Sequence, residues 1–72
     1  MTATVDTNPF EVLVMDGGKV LARADAETAD AILFAGQTLY DDCFEGSLRP
    51  GKLTVIFLYG GIHVRTVTGR PS

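Results

Sequence analysis

Two glycine pairs, Gly17-Gly18 and Gly60-Gly61, restrict this chain more than any other feature. Each lies between two short segments in which apolar and polar residues alternate, and alternation at period two is the mark of a strand with one face buried. Gly-Gly between two such runs reads as a hairpin turn, because glycine reaches the left-handed backbone conformations that tight turns require. The chain therefore offers two hairpins. The segment between them, from Ala26 to about Phe44, changes period. Its apolar positions (Ala29, Ile32, Leu33, Gly36, Leu39, Tyr40 and Cys43) recur at helical spacing. Hairpin, helix, hairpin is an α+β arrangement, ββαββ.

The boundaries follow from local chemistry. Residues 1–8 have no periodicity and read as a flexible arm, residues 9–68 as the single domain, and residues 69–72 as a short polar tail. Pro9 opens the first strand, where a missing N–H is tolerated. In the first hairpin a three-residue loop, Asp16-Gly17-Gly18, places Phe10, Val12, Val14, Val20, Ala22 and Ala24 on one face and sets Glu11 opposite Arg23. Asp25 is the expected N-cap, and Gly46 the expected C′ residue of the helix. Gly36 falls in the middle of the apolar stripe, where it costs about 1 kcal/mol relative to alanine. The compensating reason is a close approach of helix to sheet. In the second hairpin the Gly60-Gly61 turn pairs Tyr59 with Ile62, Phe57 with Val64 and Val55 with Thr66, with Leu53, Val55, Phe57, Tyr59, Ile62 and Val64 facing inward.

A right-handed crossover through the helix brings the third strand beside the first. The expected fold is a four-stranded antiparallel sheet, order 2-1-3-4, with one helix on one face.

The opposite face then has no second helix to cover it. It is expected to show Leu13, Met15, Leu21, Ile56, Leu58 and Val67, rimmed by Glu11, Lys19, Arg23, Thr54, His63 and Arg65. A contiguous apolar patch on a small chain marks an interaction surface. Stability points the same way. A 72-residue chain buries a marginal core. Its one cysteine, Cys43, excludes an intrachain disulfide, and no Cys/His pair has zinc spacing. A second copy of the chain, or another protein, is the remaining source of support.

A second candidate surface lies on the helix. Between Ala24 and Leu48 every charged residue is acidic, and Asp41, Asp42 and Glu45 crowd the helix end where the dipole favours cations. Asp30, Phe34, Asp41, Asp42 and Glu45 read either as a solvated face or as a recognition face with Phe34 as its aromatic anchor.

Enzymatic chemistry finds no constellation here. His63 has no acid or nucleophile near it in sequence, and Cys43 lacks a histidine partner. Neither glycine pair is followed by the Lys-Ser/Thr of a phosphate loop. The acidic spacing matches no calcium loop, so neither metal nor cofactor is expected. A net charge of −3 counts against nucleic acid, for which Lys19, Arg23, His63 and Arg65 would be the candidate contacts. A small-ligand carrier would need convergent polar groups. The longest apolar run, Val55 to Tyr59, is too short to span a bilayer, and residues 1–8 lack the features of a leader. The expectation is a cytoplasmic, non-catalytic protein-interaction module that forms homodimers and regulates or inhibits a partner, in the manner of a small accessory factor or a phage-type inhibitor.

Overall fold

A computed structural model of the chain describes residues 8–46 and 50–71. Strands β1 (Phe10–Asp16), β2 (Lys19–Ala26), β3 (Leu53–Tyr59) and β4 (Ile62–Thr68) form one antiparallel sheet in the order β2-β1-β3-β4. A single helix, α1 (Ala29–Gly46), packs on one face, and a short 3₁₀ turn, Pro50–Lys52, leads into β3. The fold is the ββαββ arrangement that the two periodicities imply. The arm at residues 1–7 and the loop at residues 47–49 lie outside the described residues, as does Ser72.

The core forms where the two most apolar strands meet the helical stripe. Val12 and Val14 of β1, Leu53, Val55 and Phe57 of β3, and Ile32 and Tyr40 of α1 are buried. Gly36 sits over this cluster, and the close approach inferred from its position is present. A methyl group at Gly36 would lie 3.1 Å from Cζ of Phe57 and 3.3 Å from Cγ2 of Val12.

The helix begins later than its periodicity implies. β2 runs through Asp25 to Ala26, and Thr28 is the N-cap, with its Oγ1 accepting a hydrogen bond from the N–H of Ala31 at 3.1 Å. Asp25 is a strand residue whose carboxylate accepts from Asn8 Nδ2. At the other end Gly46 is the last helical residue rather than the residue after it.

Both hairpins have two-residue turns, and both outer strands carry a bulge close to the turn. Gly17 (φ +63°), Gly60 (φ +60°) and Gly61 (φ +84°) supply the left-handed conformations. The first turn is Gly17-Gly18, with Asp16 opposite Lys19 and Met15 opposite Val20; the register then slips so that Val14 faces Ala22, Val12 faces Ala24 and Phe10 faces Ala26. Leu21 is the extra residue. The three-residue loop is thus replaced by a tighter turn plus a bulge, which puts Ala22, Ala24 and Ala26 under the helix and moves Val20 to the other face. Glu11 stands opposite Asp25, and Arg23 reaches it diagonally to form the expected ion pair.

In the second hairpin Tyr59 does face Ile62, but the slip falls between Phe57 and Leu58. Leu58 faces His63, Phe57 faces Arg65 and Val55 faces Val67, leaving Val64 as the extra residue. An inserted residue inverts every side chain beyond it. Val67 therefore packs against the core on the helix side, and Arg65 also stands on that side, while Ile62 and Val64, expected inside, are 72% and 62% exposed. Tyr59 is half exposed and makes an edge-on contact with Phe10, ring centroids 4.8 Å apart.

Candidate functional site

Alternation along four paired strands distributes two sets of side chains, and the set facing away from α1 forms the bare face. β1 contributes Glu11, Leu13 and Met15; β3 contributes Thr54, Ile56 and Leu58; β2 contributes Val20, Arg23 and Asp25; β4 contributes His63, Thr66 and Thr68. Leu13 stands directly opposite Ile56, with Leu58 and Met15 on adjoining rungs. These four are half-buried by one another and by the rim, and Leu21 and Val20 extend the patch toward the β1–β2 turn at 40% and 47% exposure. Among the described residues no element lies across this face. Of the six apolar residues assigned to it from the sequence, five belong to it or border it; Val67 belongs to the core.

The rim is chemically uneven. One corner holds Glu11 and Asp25 with Arg23 bridging toward Glu11. The β4 margin holds a column of hydroxyl and imidazole groups in which His63 Nε2 and Thr66 Oγ1 are 2.6 Å apart. The four basic residues considered for nucleic acid are scattered. Arg23 is paired with Glu11, Lys19 faces Asp16 beside the turn, and Arg65 lies on the opposite side of the sheet from His63.

On α1, Phe34 points away from the sheet and is 70% exposed, as its wheel position implies. Asp30, Asp41, Asp42 and Glu45 are exposed too. Asp30, Phe34, Asp41 and Glu45 fall on one side of the helix, at spacings of four and seven residues, with Asp42 beside them. Asp41 is occupied by Arg70, whose Nε and Nη2 donate to the two carboxylate oxygens at 3.0 and 3.3 Å. The acidic crowding at the end of α1 thus has a local partner that lies in the segment read as a polar tail. Asp30, by contrast, borders a cavity.

That cavity exists because α1 lies over β1 and β2 and only reaches β3, so the helix side of β4 is left open. A four-stranded sheet is about 19 Å wide at about 4.8 Å per strand, and one helix about 10 Å across covers half of it. The uncovered margin holds a groove of about 260 Å³ lined by Phe57, Ile32 and Leu33, with Val64 and Arg65 on the β4 side and Ala29 and Asp30 on the helix side. Sequence reasoning missed it, because it is a consequence of where the helix sits.

Cys43 is partly buried on α1. Burial first, and the charge of Asp42 second, push its thiol above the ordinary range, so it is a protonated thiol at neutral pH and a poor nucleophile. Among the described residues no group of three or more His, Cys, Asp or Glu could hold a metal ion, and no helix is long and apolar enough to cross a membrane.

Compared with known proteins, the chain matches no family model, no curated protein and no solved structure.

Proposed function

We propose that this chain is a non-catalytic protein-interaction module that docks through the bare sheet face, in the first place onto a second copy of itself. The observation that carries this reading is the apolar centre formed by Leu13, Met15, Ile56 and Leu58, with no described element across it. An apolar patch with a polar rim is the anatomy of a recognition surface. Two such faces stack about 10 Å apart when sheets pack. An isologous pair would also give a 72-residue domain the additional burial that its own core lacks.

Area sets the strength. Four strands of seven or eight residues present a footprint of about 440 Å² per copy, or about 900 Å² in all, which falls below the range of stable interfaces. The self-association is therefore weak, with a Kd of order 100 μM. Sedimentation equilibrium from about 10 μM to 1 mM should show the mass rising from 7.7 kDa toward twice that value. Leu58→Lys, which sets an ammonium group in the apolar centre, should hold the mass at that of the monomer while leaving the fold intact, since Leu58 faces away from the core. A wild-type mass of 7.7 kDa at 1 mM would reject self-association through this face.

A further inference from the structure

The flank of α1 beside the open half of the sheet carries Leu33, Gln37 and Asp41 at four-residue spacing, so the three form a row along the helix. Leu33 borders the groove, which no described residue fills. The other two hold a piece of the chain itself. After β4, Gly69 turns at φ +101° and donates its N–H to the carbonyl of Leu53 at 3.4 Å. Arg70 then makes its two-pronged contact with Asp41, and Gln37 Nε2 donates to the carbonyl of Pro71 at 3.1 Å. The Pro71 side chain is fully buried, although it belongs to no helix or strand.

This segment is bound the way a peptide ligand is bound. One apolar residue fills a slot, one main-chain carbonyl meets a side-chain amide, and one guanidinium meets a carboxylate in a bidentate fork. It runs from Asp41 toward Gln37, that is, toward Leu33 and the groove. Leu33 and Gln37 are one helical turn apart, about 6 Å, which an extended chain crosses in about two residues. The groove, at about 260 Å³, has room for a large apolar side chain. The Arg70–Asp41 pair is half exposed on both sides, so solvent screens it and its own contribution to holding the segment is small.

We propose that the trough between α1 and β3–β4 is a docking site for an extended segment of another protein that carries Arg-Pro followed within two residues by a large apolar side chain, and that Arg70-Pro71 is the chain's own displaceable occupant of half of it. The site is distinct from the bare sheet face and does not depend on self-association there.

The probe is the capped peptide Thr-Gly-Arg-Pro-Ser-Leu, titrated to 5 mM into the ¹⁵N-labelled full chain and into its Arg70→Ala/Pro71→Ala variant, at protein concentrations of about 50 μM. In the variant the peptide should shift the amides of Leu33, Gln37, Asp41, Phe57 and Val64 with saturation. It should bind the wild-type chain at least tenfold more weakly, because there the resident segment must leave first. Replacing the peptide's leucine by serine, or its arginine by alanine, should each weaken binding by about tenfold, and Asp41→Ala in the protein should remove the arginine effect. Where the double variant does not fold, the wild-type titration decides alone: saturable shifts along the trough support the site, and none up to 5 mM overturns it. Equal binding of a scrambled peptide, or shifts confined to the bare face, would also overturn it. Exchange of the 69–71 segment between two copies, seen as intermolecular contacts in a mixed-label sample, would replace the partner protein with a second copy and reject the proposal as stated.

Discussion

Replacing Gly36 by alanine tests the placement of α1, on which both the bare half of the sheet and the trough depend. In isolation the change favours the helix by about 1 kcal/mol, because glycine loses more backbone entropy and leaves the backbone more exposed. In this fold the new Cβ meets Phe57 Cζ at 3.1 Å, Phe57 Cε1 at 3.2 Å and Val12 Cγ2 at 3.3 Å. Carbon atoms in a packed interior sit about 3.5–4.0 Å apart, so each neighbour must yield by a few tenths of an ångström. Phe57 borders the groove and has somewhere to go. Val12 does not, since it is fully buried between helix and sheet. Overpacking of this kind costs about 1–3 kcal/mol, which outweighs or cancels the helical gain. The variant should therefore be less stable than the wild type by about 1 kcal/mol, with a denaturation midpoint lower by about 4–8 °C for a chain of this size. Gly36→Val, with two further methyl groups and a β-branch in the helix, should be worse by at least as much again. Urea denaturation followed by circular dichroism, with an unchanged m-value, measures the free energy of both variants, and a thermal scan measures the shift in midpoint. An alanine variant that gains the full 1 kcal/mol of helix propensity would show that the helix does not sit this close, and would remove the basis for the uncovered half-sheet.

The remaining predictions are smaller. Thr28→Ala should cost about 1 kcal/mol by leaving the Ala31 N–H uncapped, whereas Asp25→Ala should leave helix stability unchanged; equal losses would return the cap to Asp25. Cys43 should react with iodoacetamide at pH 7 more slowly than a free thiol, and an equal rate would refute the raised pKa. The same raised pKa means that the folded form holds its proton longer than the unfolded one, so the associated stability is present at neutral pH and is lost as pH rises through and above the ordinary thiol range. Above pH 9 the denaturation midpoint should fall more steeply in the wild type than in Cys43→Ala, and parallel curves would reject this assignment. Phe34→Ala should preserve the denaturation midpoint within about 0.5 kcal/mol, because the ring is 70% exposed and outside the core; a larger loss would mean that it packs against something. Asp41→Lys should lower stability slightly, since it breaks the exposed pair with Arg70 and repels it; a gain would show that relief of the acidic crowding near Glu45 dominates.

Local chemistry determined most of this fold. The two glycine pairs and the alternation around them place β3 and β4 at their observed limits and locate the turns, because a tight hairpin and a half-buried strand are both decided by neighbouring residues. The helical stripe located α1, Gly36 announced its close contact, and chirality of the crossover set the strand order. The bare sheet face followed from counting elements. What the sequence carried only faintly were the two bulges. The doublet Val20-Leu21, and the three-residue step from Val64 to Val67, each break strict alternation, which is the trace an inserted residue leaves. Whether alternation is broken by a bulge or by an exposed apolar residue depends on what lies across the sheet. Here Ala22, Ala24 and Ala26 suit the helix side and Val67 completes the core beside Val55, which the strand alone cannot reveal.

Tertiary structure alone decided the trough. The lateral position of α1 over β1 and β2 is set by the fit of Gly36 against Val12 and Phe57, a contact between residues more than twenty positions apart. That position leaves the helix side of β4 open. It also turns residues 69–71 from a polar ending into a seated segment, with Arg70 on Asp41, an acidic residue that in sequence looked misplaced at the end of its helix. Periodicity reports which face of an element is apolar. It does not report where along a sheet that element comes to rest, because that is fixed by shape complementarity between surfaces that are distant in the chain.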